Sequence, residues 1–212
     1  MDLISLLICG GVVVFAGGLL LLVVVSSFFS SGADKKKAAN WGPIASRLGL
    51  QLVDDPGSLA RLEGAWRGHR TQVRVVRRHE SNHGNDVSDE FVWTHIVVYW
   101  PRSADLGMSV SKLGAVMAML GNTVGRKRIQ IGDPQFERAV FVRGNDPAGV
   151  AAFLQPPLRA EVQRVAHLHD YVEFTDFGGA VTIHGWADEQ EIVRWLDELA
   201  KVVDVAVAVH GA

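Results

Sequence analysis

Residues 3–25 carry no charged side chain and, Ser5 apart, are apolar or small throughout. A helix rises about 1.5 Å per residue, so this run reaches roughly 34 Å, slightly more than a hydrocarbon layer of about 30 Å. That length suffices for one crossing with some tilt. The organisation predicted from it is a single transmembrane anchor within residues 1–30, a polar basic linker over 31–39, and a soluble domain over 40–212. The domain is long enough for one ordinary hydrophobic core and too short for two.

A cleaved secretory signal with an exported domain is the competing reading, because Ser31-Gly32-Ala33 presents small residues where a peptidase cuts. Retention is preferred on two grounds. Met1-Asp2 places no basic residue before the run, and the run exceeds the roughly 7–15 residues of a secretory core. Lys35, Lys36 and Lys37 follow the apolar segment directly, while the N-terminal tail carries only Asp2 as a side-chain charge. Positive flanks stay in the cytoplasm. The expected topology in a cell (inner) membrane is therefore N-terminus outside and domain cytoplasmic.

Gly10 and Gly17, like Gly11 and Gly18, lie about two helical turns apart and form a smooth stripe on which a second copy could pack. Glycine is also common in membrane helices without that role. Cys9, the single cysteine, sits inside the apolar run, so the domain has no disulfide and no thiol nucleophile. A formal net charge of −2 supplies no overall field toward nucleic acid, and none is expected as a partner.

Within the domain, Trp41, Ile44, Ala45 and Leu48 recur at helical spacing and Gly49 stops the pattern. After the Asp55-Pro56-Gly57 break, residues 58–63 read as a helical turn. Ala65-Trp66 and residues 69–78 then read as strands around Arg67-Gly68, and residues 91–100, apolar on both parities, read as a central strand. Residues 111–120 suggest a small-residue helix. Residues 128–131 and 139–142 suggest strands flanking Gly132-Asp133-Pro134.

Asp146-Pro147 is a capped helix start, and a second helix from Pro157 runs to about Leu168. Residues 171–176 and 180–184 read as a hairpin around Gly178-Gly179. The last helix opens on Asp188 and Glu191 as a capping-box analogue and buries Ile192, Trp195, Leu196, Leu199 and Val203. Its tail over 203–209 alternates like a strand and also fits a longer helix. Hairpins separated by helices, without regular βαβ order, predict an α+β domain with a mainly antiparallel sheet.

His79-Glu80-Ser81-Asn82-His83 matches H-E-x-x-H. In zinc peptidases a helix sets the two histidines one turn apart on the metal while the glutamate activates bound water. Here residues 81–89 favour turns and offer no apolar stripe for a catalytic helix, so a polar loop is expected. A zinc hydrolase using His79, Glu80 and His83 is the alternative. His167, His169 and Asp170 fall at a helix C-terminus, where the dipole favours them. His95 and His184 lie in strands and receive no role. No cofactor is expected.

Arg67, Arg70, Arg74, Arg77 and Arg78 cluster, as do Arg126, Lys127 and Arg128. Beside an anionic inner leaflet such groups could hold a domain against headgroups; a solvated sheet face is the preferred explanation. Finally, the block Gly132-Asp133-Pro-Gln-Phe136-Glu137 through Phe141-Val142 to Asp146 resembles one found in uncharacterised bacterial membrane-anchored proteins, whose domain has unknown function. The resemblance spans roughly 129–203 and implies an anchored α+β domain without catalytic residues. The functional expectation is a membrane-tethered, non-enzymatic domain that binds a protein partner or its own copy, with an anionic-lipid surface module as a further alternative.

Overall fold

A computed structural model describes residues 36–81, 88–112 and 128–211. The chain divides into two units, Met1–Trp41 and Gly42–Ala212, and the second holds the sheet and helices that follow. Helix α1 (Trp41–Leu48) begins at that boundary and ends on Gly49, whose positive φ of 67° suits a residue without a side chain.

Eight strands form one antiparallel sheet. In chain order they are β1 (Gln51–Leu52), β2 (Ala60–Trp66), β3 (His69–Ser81), β4 (Ser88–Tyr99), β5 (Ser109–Lys112), β6 (Val140–Arg143), β7 (Val172–Thr175) and β8 (Gly178–His184). In space they run β1-β2-β3-β4-β8-β7-β5-β6. β4 thus occupies the middle, as its apolar residues on both parities require. The remaining helices are α2 (Pro134–Ala139), α3 (Pro147–Phe153), α4 (Pro156–Leu168) and α5 (Glu189–His210). The domain is therefore α+β.

Period-two alternation assigns each strand residue to a face. One face presents Leu62, Val73, Val75, Ile96, Val98, Val110, Val142, Phe174 and Val181, all buried. Against it lie α4, through Leu158, Val162 and Val165, and α5, through Ile192, Trp195, Leu196, Leu199, Val202 and Val203. Burying one such side chain contributes about 1.5–3 kcal/mol, so these stripes hold the two layers together. Asp188 closes a reciprocal capping box with Glu191, its carboxylate accepting from the Glu191 N–H at 2.8 Å.

Several local expectations are corrected. Residues 60–63 belong to β2 rather than to a helical turn, because Ala60 and Leu62 pair with Val75 and Val73 and complete the buried face. Ser111 and Lys112 are strand, paired with Phe141 and Val140, which removes the start of the expected 111–120 helix; residues 113–120 lie outside the described ones. Residues 134–139 form α2 where a turn and strand were expected. Asp133 caps it by accepting from the Gln135 and Phe136 N–H groups, and buried Phe136 anchors it. Arg128 to Ile131 are not strand, although the Ile129 N–H donates to the Val142 carbonyl at 2.9 Å. The β7–β8 turn is Asp176-Phe177, with both glycines inside β8. The tail beyond Val203 continues α5 to His210, with Ala206 buried.

Among the described residues no helix is long and apolar enough to cross a membrane. The apolar run over 3–25, with Cys9 and the glycine stripe Gly10, Gly11, Gly17 and Gly18, lies outside the described residues, as do Ser31, Gly32, Ala33 and Lys35.

Candidate functional site

Helices α4 and α5 cover the buried face of the sheet. The residues of the opposite face, called the open face below, follow from the register. From β2 come Arg61 and Glu63; from β3 Arg70, Gln72, Arg74, Val76 and Arg78; from β4 Trp93, His95, Val97 and Tyr99; from β8 Ala180, Thr182 and His184. Glu173, Ser109, Ser111, Phe141 and Arg143 continue it across β7, β5 and β6.

The open face bears Arg61, Arg70, Arg74, Arg78 and Arg143 alongside Glu63, Glu80, Asp89 and Glu173. Helix α5 bears Glu189, Glu191, Asp197, Glu198 and Asp204 against Arg194 and Lys201. Most charges on the helical side are paired: Arg47 with Glu189 at 2.6 Å, Arg67 with Asp197 at 3.0 Å, Lys201 with Glu198 at 2.8 Å. Arg164 sits between Glu161 and Glu198, which raise its already high pKa further.

On the open face the arginines differ in their partners. Arg61 is occupied by Asp55 and Glu63, and Glu63, which also accepts from Gln72 at 2.8 Å, is held below the usual carboxylate range chiefly by Arg61. Arg70 lies over the Tyr99 ring at 4.8 Å. Arg74, by contrast, makes no hydrogen bond or ion pair with a described side chain, and Glu80 and Asp89 share the face of Arg78 beside it.

His95 stands directly opposite Arg74 on the neighbouring strand. Its Nδ1 lies 2.9 Å from the Thr182 hydroxyl across the β4–β8 pairing. Burial, then the charges of Arg78 and Arg74, push its pKa down to about 4, so the ring is neutral at neutral pH. Since Thr182 can donate or accept, the imidazole can exchange tautomers and keep this bond. Trp93, two residues along, meets His184 edge-on at 5.0 Å and Tyr171 at 5.8 Å, and Phe91 meets His184 at 5.7 Å. A row of rings thus borders the cationic group.

Six buried side-chain polar atoms among the described residues lack any partner. Five of them lie on the open face: Arg74 Nε, Trp93 Nε1, His95 Nε2, Ser111 Oγ and Arg143 Nε; the sixth is Trp195 Nε1 in the core. Each such group costs about 1–3 kcal/mol.

The sequence-derived candidates fare unevenly. The backbones of His79 and Glu80 are strand, paired with Glu90 and Asp89, so the helical turn that H-E-x-x-H chemistry requires is absent there; His83 lies outside the described residues. Among the described residues no group of three or more His, Cys, Asp or Glu side chains could hold a metal ion. Lys36 and Lys37 are exposed. His167 Nδ1 lies 2.6 Å from the Gln163 carbonyl, and His169, its pKa lowered by burial, packs edge-on to Trp195 at 5.4 Å; both are structural. The five-arginine cluster separates: Arg67 is in the β2–β3 turn, Arg77 is on the opposite parity, and Arg70, Arg74 and Arg78 share the open face. Trp93 and Thr182, which complete the group, carried no local signal, and His95 gains its setting only through register.

What these observations define is an α+β domain with an acidic last helix and a second sheet face that gathers arginines, carboxylates and aromatic rings. Compared with known proteins, the chain matches no family model, no curated protein and no solved structure.

Proposed function

We propose that this chain is a single-pass membrane protein whose domain is a non-enzymatic binding module, docking a protein partner or a second copy through the open face of the sheet. The arginines and aromatic rings gathered on that face carry the reading. These are the residue types that dominate interface energetics.

The anchor supports this reading with a location. Residues 3–25 span the bilayer, and Lys35 to Lys37 hold the linker on the cytoplasmic side. Photo-crosslinkers placed at Val97 and Ala180 on the open face, and at Lys201 on α5, test the docking surface in native membranes. Adducts from the first two positions and none from the third are expected. Adducts from Lys201 alone would move the interface to the helices. Labelling of a Lys37→Cys variant from outside intact cells would reverse the topology.

A further inference from the structure

We infer that two copies of this chain pair through the outer edge of β3, strand against strand, about a two-fold axis at His79. The contact is a strand edge and not the open face, so it goes beyond the docking reading and stands or falls apart from it.

The sheet leaves a projecting arm. β3 and β4 pair with each other as far as Ser81 and Ser88, whereas β2 stops at Ala60, opposite Val75, and β8 stops at His184, opposite Trp93. Residues 76–81 and 88–92 therefore form a two-stranded ribbon roughly 20 Å long, and no described strand pairs with either of its outer edges. A two-stranded ribbon is marginal in water by itself, and a third strand supplies what it lacks. Its edge presents N–H and C=O groups ready for that addition.

Antiparallel geometry fixes which groups point outward. The Val75 carbonyl accepts from the Leu59 N–H on the β2 side, so by alternation Arg77, His79 and Ser81 turn their backbone groups the same way, where no described strand follows. A second β3 edge laid antiparallel must match these residues with one another. The registers available within the arm centre on Arg78, His79 or Glu80. Centring on Arg78 sets that cation against its own copy, and centring on Glu80 does the same to a carboxylate. Centring on His79 instead sets Arg78 opposite Glu80 on both sides of the axis and Arg77 opposite Ser81, for about six backbone hydrogen bonds. The β4 edge has no such solution. Centring on Asp89 or Glu90 opposes like charges, and centring on Phe91 needs Val92, whose carbonyl already accepts from the Gly185 N–H at 2.7 Å. Charge thus selects one edge and one register, and a two-fold pairing of that kind closes as a dimer.

The test uses the full chain with Cys9→Ser as background, so that each introduced cysteine is the only one. Directly opposed Cα atoms lie about 5.5 Å apart, within disulfide reach, and an offset of several residues puts them beyond it. Under a mild oxidant in disrupted cells, His79→Cys should give a disulfide dimer, and Arg77→Cys and Glu90→Cys should not. Arg77→Cys and Ser81→Cys, differently tagged and mixed, should crosslink to each other. Charge gives an independent readout. Added to His79→Cys, Arg78→Glu alone or Glu80→Arg alone should lower the dimer about fivefold or more, each making both cross-strand pairs repulsive. Co-expressed with different tags, these two variants should crosslink to each other in preference to themselves, because every pair between them is opposite in sign; a defect within one arm would persist in the mixture. The same mixture without an introduced cysteine, read by co-purification of the tags, decides the matter where His79→Cys does not fold. No disulfide from a folded His79→Cys chain, equal crosslinking from Arg77→Cys or Glu90→Cys, or no preference in the mixture overturns the inference. The open-face reading fails separately, through the Val97 and Ala180 crosslinks.

Discussion

Thr94 is fully buried at the centre of β4, and its hydroxyl joins three elements. It donates to the Gly185 carbonyl at 2.7 Å and accepts from the Ala187 N–H at 3.0 Å, tying β4 to the chain that leaves β8 and enters α5. Thr94→Val keeps the shape and deletes both bonds. Ala187 is buried, so its N–H loses its only partner, at a cost of about 1–3 kcal/mol; the Gly185 carbonyl, half-exposed, adds less. The expected loss is about 2–4 kcal/mol, or roughly 5–12 °C in Tm for a domain of this size. Thr94→Ser keeps the hydroxyl and removes one methyl, costing about 1 kcal/mol. Thermal and urea unfolding of the full chain, followed by circular dichroism, compares the two. If Thr94→Val is no worse than Thr94→Ser, the hydroxyl does not organise this junction and the reasoning is wrong.

His95 supplies a pH signature. Its folded pKa of about 4 lies below the ordinary 6.5, so the unfolded chain takes up the proton first. Stability contributed by the neutral ring is present above 6.5, falls as the pH drops through that value, and is fully lost near 4. The difference in urea midpoint between wild type and His95→Gln should change across this window, and a flat difference would refute the assignment. At Gly178, an added Cβ meets the Val98 carbonyl and lies 2.8 Å from Tyr99 Cα, so Gly178→Ala must push β8 away from β4. A loss of about 1–3 kcal/mol is expected in chemical denaturation, and wild-type stability would show that the strands part freely. Purified full chain, stripped by chelator and given one equivalent of zinc, should release it on desalting. Stoichiometric retention, abolished by His79→Ala/His83→Ala, would revive the hydrolase reading.

Elements whose cause is local were legible in the sequence. The last helix announces itself through Asp188, Glu191 and the stripe from Ile192 to Leu199, and β4 through apolar residues on both parities. Where distant pairing decides, local reading failed. The break at Asp55-Pro56-Gly57 resembles a helix start, and only the pairing of Ala60 and Leu62 with Val75 and Val73 makes the segment β2. The 203–209 tail satisfied both periods, and the burial of Val203 and Ala206 in α5 resolved it. For the candidate site, the arginines were visible as a cluster, yet which of them share a face depends on the register of β3. Nothing near His95 in sequence points to Thr182, since the contact exists only because β4 and β8 are neighbours.

That neighbourhood also sets a schedule for the ribosome. His95 and Thr182 are separated by 87 residues, and the whole β4–β8 ladder waits for chain of that length. At about 5–20 residues per second, β4 emerges, pairs with β3, and then holds its other edge bare for roughly 4–17 s. An unpaired, apolar strand edge is a template for stray β-pairing. During that interval the nascent chain is at its most vulnerable to aggregation, and the arrival of β8 both closes the sheet and ends the hazard.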